Sequence, residues 1–412
     1  MKTVRVLFSC TGVGIFNRGI ESFFRDSFDG LKDTMPGVEL RLLKGAEDRG
    51  QRSEVRGRVT GKEAIKAESG KRRAENAERM VWCLKRTGRM APLIGKLTGR
   101  SAYAVEQWSS FPGVVRQIRQ WKPHVIFYSD ANLGFLLYRF RRQIGIPYRL
   151  LFSNGGPVSA PFIRTDFVHQ VAPLYLEEAL RAGEPPEKHF LIPYGINVSE
   201  APVANPTVKQ ALRNKLGLPS ERQILLSVGW ISREHKRMDY VIEEVAKLPE
   251  PHPFLQLLGA MNEKSSEIVE LGNRMLGADN FGAASVSYDK VSEYYQAADC
   301  FVLASLKEGF GRVYLEALMH GLPVIAHRHP VMEYVLGNAG SLGDLSQPGN
   351  LANLLAVELK SPSDEPLIRR RWESVRDRFS WRVLAPAYGQ MFKTAFGSGS
   401  KSSSDLFAAN ES

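Results

Sequence analysis

Two successive doubly wound α/β halves are what the sequence predicts, on three observations. Short runs rich in Val, Ile, Leu and Phe lack polar alternation, as parallel strands covered on both faces do. These runs alternate with helical patterns. The alternation then restarts near the middle of the 412-residue chain, which is too long for one ordinary core.

In the first half, a strand over Thr3–Ser9 leads through a glycine-bearing loop to a helix near Gly19–Leu31. Further strands are expected at Val38–Leu43, His124–Ser129 and Tyr148–Ser153. The segment Pro193–Asn197, followed by Pro202 and Pro206, reads as a linker. A helix over Val208–Leu216 opens the second half, with strands at Gln223–Val228, Phe254–Gly259, Cys300–Ala304 and Pro323–His327 and a helix at Asp239–Leu248. The expected domains are residues 1–200 and 201–376, then a helix over 377–396 and a tail of disorder composition over 397–412. Such sheets bind ligands at the carboxyl ends of their strands, and two of them facing each other make a crevice.

Composition narrows the class. A hydrophobic share of 43% and a charged share of 24% are those of an ordinary folded protein. No run approaches the roughly 20 apolar residues of a membrane helix, and the start MKTVRVLFS reads as a strand and not as a signal peptide. Cys10, Cys83 and Cys300 have no metal-type spacing, so a reduced cytoplasmic protein is expected. The formal charge of +11 is concentrated: residues 44–100 hold sixteen basic against seven acidic side chains, a surplus of nine. Residues 45–100 are expected to be a basic helical segment, with a helical pair over Lys62–Leu97 carrying Met80, Val81, Trp82 and Leu84, then Met90, Leu93, Ile94 and Leu97. Its face is either merely solvated or a dock for an acceptor or an anionic membrane surface, which would place the protein peripherally on the inner membrane. The segment has no nucleic-acid module, and no nucleic acid is expected.

The densest chemical signal is Glu308-Gly309-Phe310-Gly311-Arg312-Val313-Tyr314-Leu315-Glu316, running on to Gly321-Leu322-Pro323-Val324. A strand ends in a two-glycine loop, and a helix starts near Phe310 or Gly311 and stops at Gly321. The small loop admits a ligand to the backbone, and the helix start offers N–H groups to a phosphate. Eight residues at helical rise separate the two glutamates by roughly 12 Å. That length suits one ligand held at both ends through hydroxyl groups.

This block resembles glycosyltransferase family 4, retaining enzymes of the GT-B architecture. Ala297-Ala298-Asp299-Cys300-Phe301, Ile192-Pro193-Tyr194-Gly195-Ile196-Asn197 and Val228-Gly229 followed by Lys236 are similar to other family segments. The likeness is dense from Val228 to Gly343 and weaker in the first half. It implies a GT-B fold, with an acceptor-side first domain and a donor-side second domain, and a last helix packing back on the first domain. It also implies transfer of a hexose-like sugar from a nucleotide-diphosphate sugar, with retention, in glycan, glycolipid or polysaccharide biosynthesis. Glu308 would contact the sugar and Glu316 the ribose. Backbone groups at Gly229, Phe310 and Gly311 would face the diphosphate. Lys236 would neutralise the departing phosphate, as the charge that builds on it requires. Arg18-Gly19-Ile20-Glu21 is similar to the family's first phosphate loop, which implies a diphosphate contact at Gly19. Two positions depart from the pattern. Trp230 stands where the family often has Arg, with Arg233 nearby to supply charge, and Asn154 stands where it often has His. Asn can hydrogen-bond but cannot act as a base. No cofactor and no metal are expected, because Lys236, Arg233 and helix N-termini carry the phosphate charge. The acceptor is unnamed, with lipid-linked molecules and glycans the classes in view. The competing readings are a nucleotide-sugar epimerase on the same fold, an inactive nucleotide-sugar-binding protein, and an anionic-surface binding module.

Overall fold

The computed structural model describes residues 3–16, 19–45, 78–156, 158–202, 206–360 and 364–397. The chain divides into two compact units, Met1–Gly195 with Leu384–Ser412, and Ile196–Val383.

The first unit runs β1 (Val4–Ser9), α1 (Gly19–Leu31), β2 (Val38–Gly45), β3 (Glu78–Val81), α2 (Met90–Thr98) and α3 (Ala102–Trp121). It continues with β4 (Val125–Tyr128), α4 (Ala131–Arg139), α5 (Arg141–Ile144), β5 (Arg149–Asn154), β6 (Phe167–Gln170), α6 (Pro173–Arg181) and β7 (His189–Leu191). Its strands lie in the order β3-β2-β1-β4-β5-β6-β7, all parallel.

The second unit runs α7 (Pro206–Leu216), β8 (Ile224–Val228), α8 (Met238–Val245), β9 (Phe254–Leu258), α9 (Ser265–Leu276), β10 (Phe281–Ala284) and α10 (Tyr288–Ala297). There follow β11 (Cys300–Leu303), α11 (Arg312–Met319), β12 (Val324–His327), α12 (Pro330–Leu336), β13 (Ser341–Gly343), α13 (Asn350–Glu358) and α14 (Glu365–Phe379). The order is β10-β9-β8-β11-β12-β13, again all parallel. Both units are therefore Rossmann-like, and the pair is consistent with the GT-B architecture.

The apolar runs become strands because both faces are covered: every residue of β4, β8, β9 and β11 is buried. Five short strands had no clear signal in the sequence. Buried polar residues interrupt β6, where the His169 imidazole, held down to about pKa 4 by burial, bonds the Ile192 carbonyl at 2.7 Å. Small residues dilute β10 and β13, and β7 has only three residues.

The fifth, β3, corrects the expected helical pair. Residues 62–77 lie outside the described ones, but Glu78–Val81 pair with Leu42–Gly45 at the sheet edge, and among the described residues of the expected pair only α2 is helical. Val81 and Cys83 point inward while Met80 and Trp82 point outward, which is the two-residue period of a strand. The basic segment is not uniformly at the surface either. Arg86 is buried between the rings of Phe16 and Tyr103, at 4.4 and 3.8 Å, and its Nη2 reaches Glu106 at 2.7 Å and Glu21 at 3.3 Å.

The last helix, α15 (Trp381–Gly397), begins in the second unit, and its residues from Leu384 belong to the first. Phe392 on this helix packs on Phe8 and Phe127 from β1 and β4, with ring centroids 5.8 and 5.6 Å away. Truncating a fully buried Phe costs about 3–5 kcal/mol. Phe392→Ala is expected to lose that much in urea denaturation, with the transition of the first unit affected.

Candidate functional site

In each sheet the chain starts at a central strand, grows to one side, and then returns to grow on the other. The reversal falls between β8 and β11 in the second unit and between β1 and β4 in the first. Loops leaving the carboxyl ends of those paired strands diverge, and ligands of such sheets bind in the gap.

In the second unit that gap is bridged by an ion pair. Lys236, in the loop after β8, places Nζ 2.5 Å from Oε1 of Glu308, in the loop after β11. Both side chains are largely buried, which leaves the pair weakly screened. The Lys236 stem lies over Gly229, where a Cβ would sit 3.2 Å from Cε. A Cβ on Gly259, at the end of β9, would stand 1.7 Å from the Gly229 carbonyl oxygen, so no side chain fits there. The next residue, Arg237, holds the loop from behind: its guanidinium donates to the Leu345 carbonyl at 2.6 Å and lies over the Tyr240 ring at 4.2 Å.

The loop carrying Glu308 is equally constrained. Gly311 caps α11 at φ +78°, a left-handed conformation where a Cβ would also meet the Tyr314 ring at 2.6 Å. Buried Tyr314 donates its hydroxyl to the Leu303 carbonyl, tying α11 to β11. Phe310 is buried edge-on to Phe379. The helix starts at Arg312, so only the stretch from there to Glu316 has helical rise; the roughly 12 Å helical spacing does not apply to the Glu308–Gly311 loop. Glu316 is half-buried on α11, and the Tyr295 hydroxyl donates to its Oε2 at 3.1 Å. Burial and then that carboxylate push the Tyr295 phenol well up, so it remains a donor. Arg233 is exposed and pairs with Asp239 at 3.2 Å, while Trp230 is half exposed beside it in sequence.

The first unit carries the other expected residues. Gly19 opens α1, and a Cβ there would meet nothing within 4 Å, so packing does not require glycine; its neighbour Arg18 lies outside the described residues. Asn154 is buried at the end of β5, where its amide donates to Gln170 at 2.9 Å and its oxygen accepts from the Val158 N–H at 3.1 Å. The β1/β4 gap is spanned by Asp130, which accepts from the Thr11 N–H at 2.6 Å and the Tyr103 hydroxyl at 2.5 Å. Burial raises the Asp130 carboxyl to about pKa 6 in spite of these donors, and the nearby Glu21 charge adds to the rise. Cys10 is buried, and burial together with the nearby Asp130 and Glu21 charges raises its thiol well up, which disfavours the thiolate.

Of the residues singled out in the sequence, the fold brings Lys236, Glu308, Gly229 and Gly311 to one end of the second sheet. Sequence reasoning missed Tyr295, which bonds Glu316, and Gly259 and Arg237, which hold the Gly229–Lys236 loop. A glycine directly after the apolar run Phe254–Leu258 was the available signal for Gly259. Among the described residues no group of three or more His, Cys, Asp or Glu side chains has a metal-holding arrangement.

Residues 208–372 match the family described as "Glycosyl transferases group 1". Among curated proteins, the chain is 27% identical over 221 residues to D-inositol 3-phosphate glycosyltransferase 2 of Catenulispora acidiphila, covering 48% of this chain and 52% of that one. It is 29% identical over 202 residues to alpha-monoglucosyldiacylglycerol synthase of Streptococcus pneumoniae, covering 47% and 45%. The chain thus spans about half the length of these relatives. Among solved structures, it resembles a glycosyltransferase from Rickettsia africae with a TM-score of 0.68 at 14% identity, over 96% of this chain and 99% of that one. It also resembles Anabaena HepE in complex with UDP and glucose, with a TM-score of 0.67 at 16% identity, over 95% and 100%. These structures share its fold.

Removing one partner of a buried pair costs about 3–5 kcal/mol, and replacing both costs much less. Lys236→Met is therefore expected to lower stability in urea denaturation, and Lys236→Met combined with Glu308→Gln to recover most of the loss. A second expectation concerns pH. Asp130 binds its proton more tightly in the folded than in the unfolded chain, so its contribution is present below about pH 4 and is lost as pH rises through about 6. A shift of about two units corresponds to roughly 3 kcal/mol. Asp130→Asn should flatten the pH dependence of stability between those values, measured by denaturation at stepped pH.

Proposed function

We propose that this protein is a glycosyltransferase that moves a sugar from a nucleotide-diphosphate sugar to an acceptor, with retention at the anomeric carbon. The observation that carries the reading is the Lys236–Glu308 pair at the β8/β11 reversal, beside a glycine-built helix start. The match of residues 208–372 to a glycosyltransferase family supports it. Retention and the family 4 assignment rest on the sequence resemblance.

In this reading the diphosphate approaches Gly229 and Gly311, where backbone replaces side chain, and the start of α11 adds its positive end. The Lys236 ammonium turns from Glu308 to a phosphate oxygen and offsets the charge that develops as the glycosidic bond breaks. Glu308, released from the ammonium, accepts from a sugar hydroxyl. Glu316 accepts from the ribose hydroxyls, its carboxylate already oriented by Tyr295. Arg233 adds positive charge at the rim. Gly19 and Asn154 are assigned to the first unit's part in the reaction, Gly19 as a phosphate contact and Asn154 as a hydrogen-bonding group in place of a base. No metal is invoked, because these cations and the helix start meet the phosphate charge. The acceptor belongs to the lipid-linked or glycan classes; one relative is by name a glucosyldiacylglycerol synthase.

The test separates binding from turnover. Against a panel of UDP-, GDP- and ADP-sugars, at least one should raise the melting temperature. Glu316→Ala should weaken nucleotide affinity by about 1.5–3 kcal/mol for each hydrogen bond it made to a ribose hydroxyl, whereas Glu308→Ala should reduce product formation far more than affinity for free nucleotide. Unchanged nucleotide affinity in Glu316→Ala would remove it from the site. Conversion of the donor to an isomer without acceptor would favour an epimerase.

A further inference from the structure

Residues 78–100 turn Met80, Trp82, Met90, Leu93 and Leu97 outward, while Leu84 and Ile94 are half-buried. In α2 the residues turned toward the unit are Ala91 and Gly95, and a Cβ on Gly95 would stand 2.5 Å from the Arg100 carbonyl oxygen. The helix is thus seated by its smallest residues. Met90, Leu93 and Leu97, spaced by three and four, form the opposite stripe, and Leu97 is 79% exposed. The extended stretch before it repeats the arrangement. Val81 packs on Gly113 and Leu84 donates its N–H to Ser109, both on α3, while Met80 and Trp82 face outward, Trp82 at 56% exposure. Since α2 also packs on α3, one helix carries both apolar rows.

Within residues 78–100 all charges but one are positive. Glu78 is the only carboxylate in residues 78–100, and Arg25 and Lys44 already bind it. Arg86 is engaged internally by Glu106 and Glu21. Arg79, Arg89, Lys96 and Arg100 are exposed beside the apolar residues, and Lys85 is partly so.

We propose that this face, made of the outward side of the Met80–Trp82 stretch and the Met90–Leu93–Leu97 stripe of α2, docks the protein onto an anionic lipid surface. Long aliphatic side chains enter the acyl boundary, an indole sits well at the headgroup level, and Lys and Arg extend their stems along the apolar layer to reach lipid phosphates. The excess of positive charge beside the apolar residues matches a uniformly anionic surface. The inference stands apart from the proposed activity, since none of these residues belongs to the donor site.

The test uses the full chain and vesicles of phosphatidylcholine alone or with phosphatidylglycerol. The protein should sediment with the anionic vesicles, far less with the neutral ones, and less as salt rises. Leu93→Gln with Leu97→Gln should reduce partitioning at least tenfold, and Lys85→Gln with Arg89→Gln and Lys96→Gln should do the same. Both variants should keep the wild-type melting temperature and nucleotide response, because the altered side chains are solvent-facing. Absence of vesicle binding, or partitioning unchanged in the Leu93/Leu97 variant, would overturn the proposal. So would a wild-type dimer in sedimentation velocity that the Leu93/Leu97 change converts to monomer, since a second copy would then be the occupant.

Discussion

A buried charge pair placed across a reversal of sheet growth is the interaction on which the functional reading rests. Parallel strands need crossover helices, and a sheet that grows first to one side and then to the other leaves two neighbouring loops pointing apart. In the second unit Lys236 and Glu308 occupy that gap. Separately, each would be a costly buried ion; together they are tolerated, and either can be claimed by a ligand that brings the opposite or a matching polar group. Close backbone packing at Gly229 and Gly259, and the left-handed cap at Gly311, demand glycine at these three positions.

The corresponding gap of the first unit has the opposite electrostatics. Asp130, Glu106 and Glu21 are all buried near it, and Arg86 is the cation that meets two of them. Excess buried carboxylate is unfavourable for a diphosphate, whereas the Lys236 loop supplies a cation and the start of α11 a positive helix end. One architecture repeated twice thus yields two chemically different strand-end sites. For the proposed activity, this difference favours the second unit as the one to hold a nucleotide diphosphate.

The basic segment shows how far net charge alone leads. As a surplus of nine over residues 44–100 it describes an attraction without an address. Folding sorts its described members: Arg86 goes inside as a counter-ion between two rings, Lys44 binds Glu78, and Arg79, Lys85, Arg89, Lys96 and Arg100 stand beside an outward apolar row. The alternation of Met80, Val81, Trp82 and Cys83 read as part of a helical face because four neighbouring residues fit either period, and pairing with β2 settled it as a strand.

The order of long buried strands, the restart of the pattern near residue 200, and the Glu308–Glu316 block with its helix and glycine stop were all legible in the chain, since each is a local matter of apolar period and turn chemistry. Short strands such as β6 and β13 were not, because neighbours and not their own composition stabilise them. The sequence alone therefore determined which residue types were available: Lys236, Glu308, Glu316 and the glycines about them. Only the tertiary structure decided that Lys236 and Glu308 meet across 72 residues of chain, that Tyr295 orients Glu316, and that Asn154 is engaged with Gln170. Contacts at such separation depend on how strands are ordered in the sheet, and no local pattern carries that order.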